Sequence, residues 1–426
     1  MSDPLSALDA ALARIAESEP SVRAWVQLDE PGARAQAAGV AVGAPLAGAV
    51  VGVKDIFDVA GMPTRCGLLS GAGPAERDAT AVERLRAAGG VILGKTHTTA
   101  YAWLDPAPTR NPHDLSRTPG GSSAGSAAGV AAGHCTVALG SQTAGSTLRP
   151  ASFCGVVGYK PSFGRIPTRG VTPLAPSLDH VGVFARGVAE VVAAAGVLDP
   201  SLRATHAARL IVVDDLANDH DVEPSTRDAL ARAEEAFRAS GCLVEVARLP
   251  AAVRRGGALI ALVVAYEAVV AHGDRWRELG DRLPPRLAEL LRDGTATTVA
   301  EYESALAERE SLRPAIAEIF GGGGVLLTPC ALGEAPELTT TGDARYVRPW
   351  TFFGVPAISV PVSTGPRGLP IGVQLVAPTG ADARLLATAQ ALETARDNCI
   401  VAHAKIMSTS ERGSGSLGEP PSVRSS

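Results

Sequence analysis

The sequence predicts an α/β protein in which amphipathic helices pack on a mostly parallel or mixed β-sheet. Apolar segments of strand length alternate with helical segments along the chain, which is the pattern of layered α/β domains. A helix, a glycine and a strand follow one another twice, at residues 79–93 and 226–249. The composition, with 46% hydrophobic and 19% charged residues, gives this chain of 426 residues enough apolar mass for a sizeable core.

Each element is assigned from the spacing of its apolar residues and from the residues at its ends. Apolar positions at helical spacing predict helices at residues 6–16, 32–38, 79–88, 226–239 and 383–395. Asp78 is expected to cap the third of these helices. Residues 253–320 are expected to be mainly helical, with a kink or break near Pro314. Short apolar runs predict strands at residues 47–53, 91–93, 135–139, 209–213, 243–249, 325–327, 357–360 and 373–376.

Charge, termini and cysteines exclude several classes of function. The net charge of -5 argues against nucleic acid or an anionic membrane as a main partner. The N-terminus lacks the basic start and apolar run of a signal peptide, and the longest apolar run, residues 258–266, is too short to span a bilayer. The six cysteines include no Cys-x-x-Cys pair and no zinc spacing. We therefore expect a cytoplasmic protein with reduced cysteines, no metal and no cofactor.

One motif imitates a phosphate-binding loop. Residues 89–96, GGVILGKT, match the P-loop spacing G-x-x-x-x-G-K-[ST]. A P-loop follows a strand and opens a helix, whereas here a predicted helix precedes the motif and β-branched residues fill the supposed loop. The segment therefore reads as a strand with Lys95 near its end, and phosphate binding is not expected.

Two clusters of glycine, serine and threonine mark the most informative segment, residues 118–150. They read PGGSSAGS and GSQTAGS, and the predicted strand at residues 135–139 lies between them. Glycine lets the backbone approach a ligand closely, and serine supplies a hydroxyl that can act as a nucleophile or pass on a proton. Two such loops beside a buried strand would point hydroxyls and backbone N–H groups into a shared space. A flexible linker is the alternative, and the apolar residues that interrupt the run argue against it.

A serine nucleophile needs a base. None of the eight histidines lies in a recognisable Ser-His-Asp motif, and the chain has no G-x-S-x-G elbow. A lysine can serve if it is neutral, and burial lowers the pKa of a lysine by up to several units from about 10.4. Lys54 directly follows the apolar strand predicted at residues 47–53. From the residues alone, an ordinary surface lysine before a turn explains Lys54 equally well.

Three segments together resemble the amidase signature family. GVKDIFDVAGMPTRCG, at residues 52–67, is similar to the family's catalytic-lysine segment. TPGGSSAGSAAGVAAG and GSQTAGSTLRPASFCGVVGYKPSFGRIP are similar to its Gly/Ser signature, and FGVPAISVPV with GLPIGVQLV is similar to its C-terminal portion. The resemblance covers residues 47–395 and is weakest at 203–322. It implies a single large three-layer α/β/α domain at residues 1–406, with a central mixed β-sheet covered by helices. The Ser/Gly/Pro-rich composition of residues 407–426 predicts a disordered tail.

The resemblance also implies a catalytic triad. Ser146 matches the nucleophile, Ser122 matches a bridging serine that follows a cis peptide bond, and Lys54 matches the general base. Neutral Lys54 would take a proton from Ser122, which would take one from Ser146 as it attacks an amide carbonyl. Water would then hydrolyse the acyl-enzyme.

The backbone N–H groups of Thr143, Ala144, Gly145 and Ser146 match the family's oxyanion hole, where each donor in comparable enzymes stabilises the transition state by roughly 3–4 kcal/mol. The nearby hydroxyls of Ser123 and Ser126 are better explained as supports of the loop backbone than as catalytic groups.

Three positions depart from the family pattern. Gln142 stands where the family commonly has an aspartate, which removes a charge near the oxyanion hole. Leu148 stands where an arginine is common, and Arg149 follows it. Ala100, before Tyr101, stands where a glutamate is usual. These departures bear on the choice of substrate more than on the triad.

The implied function is an amidase that cleaves the C–N bond of a small, soluble, linear amide. Tyr101 and Trp103 are expected to line the substrate pocket, although packing in the core would explain them as well. Three alternatives stay open: a glutamine amidotransferase-type subunit of a tRNA-dependent transamidase, a hydrolase of allophanate-like urea derivatives, and a catalytically impaired scaffold. No nucleic acid or membrane partner is expected, and a homodimer is left open.

Overall fold

A computed structural model describes residues 3–68 and 73–413. Its helices are α1 Pro4–Val22, α2 Glu30–Ala38, α3 Thr80–Ala87, α4 Ala124–Ala131, α5 Leu148–Cys154, α6 Val188–Leu198, α7 Asp214–Ala217, α8 Pro224–Ala239, α9 Ala251–Leu279, α10 Pro285–Ala296, α11 Val299–Glu318, α12 Arg348–Phe352 and α13 Asp382–Gly413. Its strands are β1 Trp25–Leu28, β2 Val50–Lys54, β3 Val91–Thr96, β4 Val137–Gln142, β5 Val157–Lys160, β6 His180–Ala185, β7 Leu210–Val213, β8 Val244–Ala247, β9 Val325–Pro329, β10 Ala357–Thr364 and β11 Pro370–Val376.

The strands form one mixed sheet of 11 strands in the order β1-β3-β2-β4-β6-β5-β10-β11-β9-β7-β8. Strands β3, β2 and β4 run parallel to one another, as do β9, β7 and β8. The strands between these two groups pair antiparallel. The predicted α/β class with a mixed sheet is therefore confirmed.

Helices cover both faces of the sheet. Along β2, Val50 packs in one apolar cluster while Val51 and Val53 pack in another, because successive side chains of a strand point to opposite faces. The first cluster includes residues of α1, α2 and α4, and the second includes residues of α3, α6 and α8. This alternation produces the three layers.

The ends of three helical segments differ from the sequence predictions. Helix α11 continues through Pro314 to Glu318 rather than breaking there. Asp78 does not cap α3. The N-cap residue is Ala79, which makes no side-chain hydrogen bond, and the Asp78 carboxylate instead forms an ion pair with Arg86 at 2.8 Å. Helix α13 extends to Gly413, so the predicted tail begins within it, and residues 414–426 lie outside the described residues.

The segment that imitates a P-loop is strand β3, as expected. Lys95 is fully buried in it, and its Nζ lies 2.9 Å from a carboxylate oxygen of the equally buried Asp55. The ammonium also donates hydrogen bonds to the carbonyl of Pro63 and the hydroxyl of Thr64, both at 3.2 Å. Through these contacts Lys95 connects β3 to the loop that follows β2.

In the described residues, one helical stretch is long and apolar enough to cross a membrane: Ala251–Arg282, comprising α9 and the turn after it. Half of its most apolar window is buried inside the protein, where α9 packs against α10, α11 and α12. The core helix of a soluble protein passes the same test, so this finding is weak evidence for a membrane span. The absence of a membrane partner stays a prediction.

Candidate active site

The proposed base lies at one edge of the sheet because of strand pairing. Strands β2 and β4 are parallel neighbours, with Val53 opposite Leu139. The carboxyl ends of parallel neighbours meet at the same edge, so Lys54 at the end of β2 lies beside Ser141 near the end of β4. One Gly/Ser cluster precedes β4 in the chain and the other begins within β4. Each provides a serine, Ser122 or Ser141, that contacts Lys54 at this edge.

Lys54 is fully buried, and its Nζ contacts two hydroxyls. It lies 2.7 Å from Ser122 Oγ and 2.7 Å from Ser141 Oγ. In the described part of the chain no carboxylate forms an ion pair with Lys54. Burial holds the pKa of Lys54 well below its ordinary value, and the negative charge of nearby Asp179 opposes that shift only in part. The structure therefore places a lysine suited to the neutral form next to Ser122.

Ser122 is held in place by the backbone of its own loop. The peptide bond between Gly121 and Ser122 is cis, as the resemblance predicts. Gly120 before it has φ +82°, and an added Cβ there would lie 2.8 Å from the Cα of Pro150. Only glycine combines this backbone conformation with such a close approach. Gly120 therefore lets this loop pass close to Pro150, and Ser122 Oγ lies 2.7 Å from Lys54 Nζ.

Ser146 lies in the turn between β4 and α5 and lines a cavity of about 380 Å³. It is 8% exposed, whereas Ser122 is fully buried behind it. The loops are joined by a backbone hydrogen bond, in which Ser123 N–H donates to the carbonyl of Ser146 at 3.4 Å. Among the described contacts, no hydrogen bond joins the hydroxyls of Ser122 and Ser146. The structure thus brings Lys54 and Ser122 into direct contact, with Ser146 in the adjoining turn.

Residues 143–146 line the same cavity and keep their backbone N–H groups available. In the described residues none of these four N–H groups donates a hydrogen bond, whereas the next two, of Thr147 and Leu148, both donate to Gln142 Oε1 at 2.8 and 3.0 Å. A turn with unused N–H donors beside a serine hydroxyl is suited to stabilising an oxyanion.

Gln142 replaces the expected aspartate without leaving the turn unsupported. Its Oε1 accepts from the first N–H groups of α5, and its Nε2 donates to Thr351 Oγ1 at 2.9 Å. The Thr351 hydroxyl in turn donates to the carbonyl of Ala144 at 2.7 Å. Gln142 therefore retains an acceptor for the helix N-terminus and adds a link that fixes the turn to α12.

A carboxylate from another segment, Asp179, contacts the turn that follows Gln142. One carboxylate oxygen accepts from the Thr143 hydroxyl at 2.6 Å, and the other accepts from the backbone N–H groups of Leu174 and Ala175. Burial raises the pKa of Asp179 to about 6, although these hydrogen bonds lower it. Neither Ser141, which contacts Lys54, nor Asp179, whose charge acts on it, was singled out from the sequence. Ser141 belongs to the GSQTAGS cluster, whereas nothing local in the sequence signals Asp179.

The two aromatic residues predicted for the pocket differ in position. Trp103 lines the cavity with Ala102 and Leu104. Tyr101 is 2% exposed and packs instead against His272 and Trp276, with ring centroids 4.7 and 5.3 Å apart. Substrate contact by either residue stays a prediction.

Within the residues that the structure describes, one cluster could hold a metal ion: Asp219, His220 and Asp221. The cluster lies at the protein surface, and exposed acidic groups commonly occur without an ion. None of its members is among the residues that surround Lys54, so it lends nothing to the arrangement of serines and lysine.

The amidase family profile matches residues 6–386 of this sequence. The chain belongs to the amidase family. Among its relatives, a glutamyl-tRNA(Gln) amidotransferase subunit from Synechococcus sp. (strain RCC307) is 34% identical, over 91% of this chain and 93% of the relative. A 2-amino-5-chloromuconic acid deaminase from Comamonas testosteroni is 31% identical over 89% of each chain.

A solved amidase structure shares the fold. It superposes with a TM-score of 0.84 at 32% identity, covering 92% of this chain and 96% of that one. Family membership supports hydrolysis of an amide-type C–N bond by this amidase-family chain. Its relatives act on different substrates, so membership leaves the substrate open.

Proposed function

We propose that this chain is an amidase that forms an acyl-enzyme at Ser146, with protons relayed through Ser122 to Lys54. The observation that carries the proposal is the contact at 2.7 Å between a fully buried Lys54 and Ser122, at the edge of a cavity lined by Ser146. A neutral lysine has one lone pair, which can accept the Ser122 proton. The second contact, to Ser141, orients the amine.

Ser146, Ser122 and Lys54, together with one water molecule, account for every proton transferred in the proposed reaction. The Ser146 hydroxyl proton passes to Ser122 Oγ while the Ser122 proton passes to Lys54 Nζ, and Ser146 Oγ bonds to the amide carbon. The oxyanion accepts hydrogen bonds from the N–H groups of residues 143–146. The C–N bond then breaks, and the leaving nitrogen receives a proton returned from Lys54 through Ser122. A water molecule then attacks the ester carbon while its proton passes through Ser122 to Lys54. The ester bond breaks, the acid is released, and Ser146 Oγ regains its proton through the same relay.

Fluorophosphonate labelling followed by intact mass and peptide mapping tests the proposal. We expect one adduct, on Ser146, in the wild-type protein. Ser146→Ala should abolish the adduct and Lys54→Met should slow its formation at least a hundredfold, while Ser116→Ala, at an exposed serine, should leave it unchanged. A folded wild-type protein that gains no adduct would contradict the acyl-enzyme and favour the impaired scaffold.

A second candidate function is the glutaminase component of a tRNA-dependent transamidase. The similarity to a glutamyl-tRNA(Gln) amidotransferase subunit over 91% of this chain favours it. Such a component would use the same serine and lysine but release ammonia from glutamine together with partner chains. Ammonia release from glutamine that requires added partner chains and tRNA would support this candidate, and hydrolysis of a small amide by the isolated chain would support the first.

A 1-carboxybiuret hydrolase subunit from Pseudomonas sp. (strain ADP), 33% identical over 78% of this chain, keeps urea-derived amides among the substrates to be tested. Biuret-type and linear amides can be compared in one assay, because both release ammonia.

A further inference from the structure

A turn at residues 99–103 forms part of the wall of the Ser146 cavity. Ala102 and Trp103 belong to this turn, and both line the cavity. Tyr101 and Ala102 have φ +46° and +60°, so two successive residues other than glycine adopt the left-handed backbone conformation. This conformation is costly for a bulky residue and persists only where surrounding contacts fix it. The neighbours of the turn should therefore include contacts that hold this part of the wall in place.

Backbone contacts anchor the turn beside the serine and lysine loops. Thr99 N–H donates to the carbonyl of Ser122 at 3.2 Å, and Tyr101 N–H donates to the carbonyl of Cys66 at 2.8 Å. A Cβ added to Gly67 would lie 2.7 Å from the carbonyl carbon and oxygen of Thr99, so the two backbones are in direct contact. These anchors act on the backbone and are independent of the Tyr101 ring.

Aromatic side chains of α9 hold the Tyr101 ring. Tyr101 is 2% exposed, and its ring centroid lies 4.7 Å from that of His272 and 5.3 Å from that of Trp276. The rings of His272 and Trp276 stack with their centroids 5.5 Å apart, and Trp276 is fully buried. In the described residues the Tyr101 hydroxyl makes no hydrogen bond. The ring rather than the hydroxyl therefore connects the turn to α9.

His272 also connects α9 to a second part of the cavity wall. Its Nε2 donates to the carbonyl of Pro173 at 2.7 Å, and the next residue, Leu174, lines the cavity. One region of α9 thus supports two separate segments of the wall. It contacts residues 102–104 through the Tyr101 ring, and it contacts Leu174 through Pro173.

We propose that Tyr101 is a positioning residue that sets the width of the Ser146 cavity from behind its wall, and that His272 holds it there. This inference rests on the proposed function, because the cavity would receive the acyl group of the amide. Protein interiors are close-packed, so a ring filling the space between the turn and α9 prevents the wall from moving back. Tyr101 thereby selects amides by the width of the acyl group.

The first test compares kcat/KM for benzamide and propionamide, whose acyl groups differ in width. Tyr101→Ala vacates the space behind the wall, so the ratio of benzamide to propionamide should rise at least tenfold. Tyr101→Phe keeps the ring and loses only the hydroxyl, so it should leave the ratio within about twofold of the wild-type value. An unchanged ratio in Tyr101→Ala, or equal changes in both variants, would overturn the proposal.

A control separates movement of the wall from a general loss of stability. Phe237→Leu shortens a fully buried side chain on α8 that is not among the residues lining the cavity, and it should leave the ratio unchanged. If Tyr101→Ala does not fold, Tyr101→Leu, which fills part of the vacated space, should raise the ratio by a smaller factor. A ring that merely stabilises the fold would lower kcat/KM for both amides equally, and that result would count against the positioning role.

Variants of His272 test its part in the same support. His272→Leu removes both the ring that packs against Tyr101 and the donor to Pro173, so the ratio should rise as it does in Tyr101→Ala. His272→Gln keeps a side-chain donor for the Pro173 carbonyl and should bring the ratio back toward the wild-type value. An unchanged ratio in His272→Leu would show that Tyr101 is held without His272 and would overturn that part of the proposal.

Binding without catalysis distinguishes this inference from the proposed function. Calorimetric titration of Ser146→Ala protein with benzamide and with propionamide gives their relative affinity, and adding Tyr101→Ala should shift it toward benzamide at least tenfold. That shift in a protein whose Ser146 is never labelled by a fluorophosphonate would defeat the proposed hydrolysis but not the positioning role. Labelling of Ser146 with an unshifted preference in both measurements would do the reverse.

Discussion

Lys54 is suited to act as a base because it is buried and, among the residues that the structure describes, no carboxylate forms an ion pair with it. If it takes the Ser122 proton, kcat/KM should rise with pH through the pKa of Lys54 in the free enzyme. Burial lowers that pKa, so the rise should lie well below the range of an ordinary lysine. A pH–rate profile measured with chemistry rate-limiting checks this expectation, and a flat profile from mildly acidic to alkaline pH would contradict it.

Asp179 provides a directional control on the same profile. Its ionised carboxylate favours the protonated form of Lys54 and so raises the lysine pKa. Asp179→Asn should therefore move the rising limb to lower pH, while its amide oxygen can still accept from Thr143. A merely structural role for Asp179 would lower kcat without moving the limb.

At the scale of single residues, the sequence predicted the groups that lie in its motifs. The expected lysine and serine do meet, and the cis peptide bond is where the resemblance placed it. Asp179 could not be predicted, because it reaches the site only through the packing of a loop 36 residues beyond Thr143. The support that Gln142 gains from Thr351, 209 residues away, was hidden for the same reason.

At the scale of elements, the cavity wall depends on a helix that is distant in sequence. Asp105 follows the wall residues Trp103 and Leu104, and its carboxylate accepts from the backbone N–H groups of Arg286 and Leu287 at 3.0 Å each. These are first-turn N–H groups of α10, which have no partner within the helix. The loop thus fixes the helix, and the helix fixes the loop.

Asp105→Ala should lower the free energy of unfolding by about 1 kcal/mol, the usual cost of losing such a cap, and should also raise KM. Urea denaturation and steady-state kinetics check the two effects. Asp274→Ala, at a 99% exposed carboxylate on α9, is the matched control and should change neither quantity. Unchanged KM in a destabilised Asp105→Ala would show that α10 does not set the shape of the wall.

Strand β3 contains a second element-scale dependence, the buried pair of Lys95 and Asp55. Lys95→Met should destabilise the fold by roughly 3–5 kcal/mol, because it leaves the Asp55 carboxylate buried without its partner. Adding Asp55→Asn should recover much of that loss. Chemical denaturation of the single and double variants measures it, and strictly additive losses would contradict the pairing argument.

Element boundaries were predictable where apolar periodicity and terminal residues agreed, and less so where tertiary contacts decide. Helix α11 continues through Pro314 to Glu318. Ile316, two residues after the proline, is buried, and this packing favours the continued helix. Asp78 was expected to cap α3 but forms an ion pair with Arg86 instead. Strands β5 and β6 were not predicted from the sequence. The sheet order shows that they lie between its two parallel groups.

At the scale of the whole molecule, the buried His134 connects the N-terminal helix α1 to strand β1. His134 Nδ1 accepts from Trp25 Nε1 at 3.2 Å, so the proton resides on Nε2, which donates to Ser18 Oγ at 2.7 Å. Ser18 in turn donates to the carbonyl of Arg14 in α1. This chain of bonds requires a neutral imidazole, since a proton on Nδ1 would displace the Trp25 donor.

Burial lowers the pKa of His134 to about 4 from an ordinary value near 6.5; the charge of Arg14 adds to this shift, and a hydrogen bond with the Arg14 backbone opposes it. Glu19, 3.6 Å away, faces Nδ1. Between these two pH values the unfolded chain binds the proton and the folded chain does not, so folding stability falls as the pH falls. The slope from this group approaches about 1.4 kcal/mol per pH unit at most. Below pH 4 both states are protonated, and the contribution stops changing.

His134→Gln should therefore lose stability at pH 7 but less at about pH 4.5, so that its difference from wild type narrows on acidification. Urea denaturation at several pH values measures that difference, and His206→Gln, at an exposed histidine, should run parallel to wild type throughout. A difference that stays constant across this pH range would mean that His134 is protonated alike in both states.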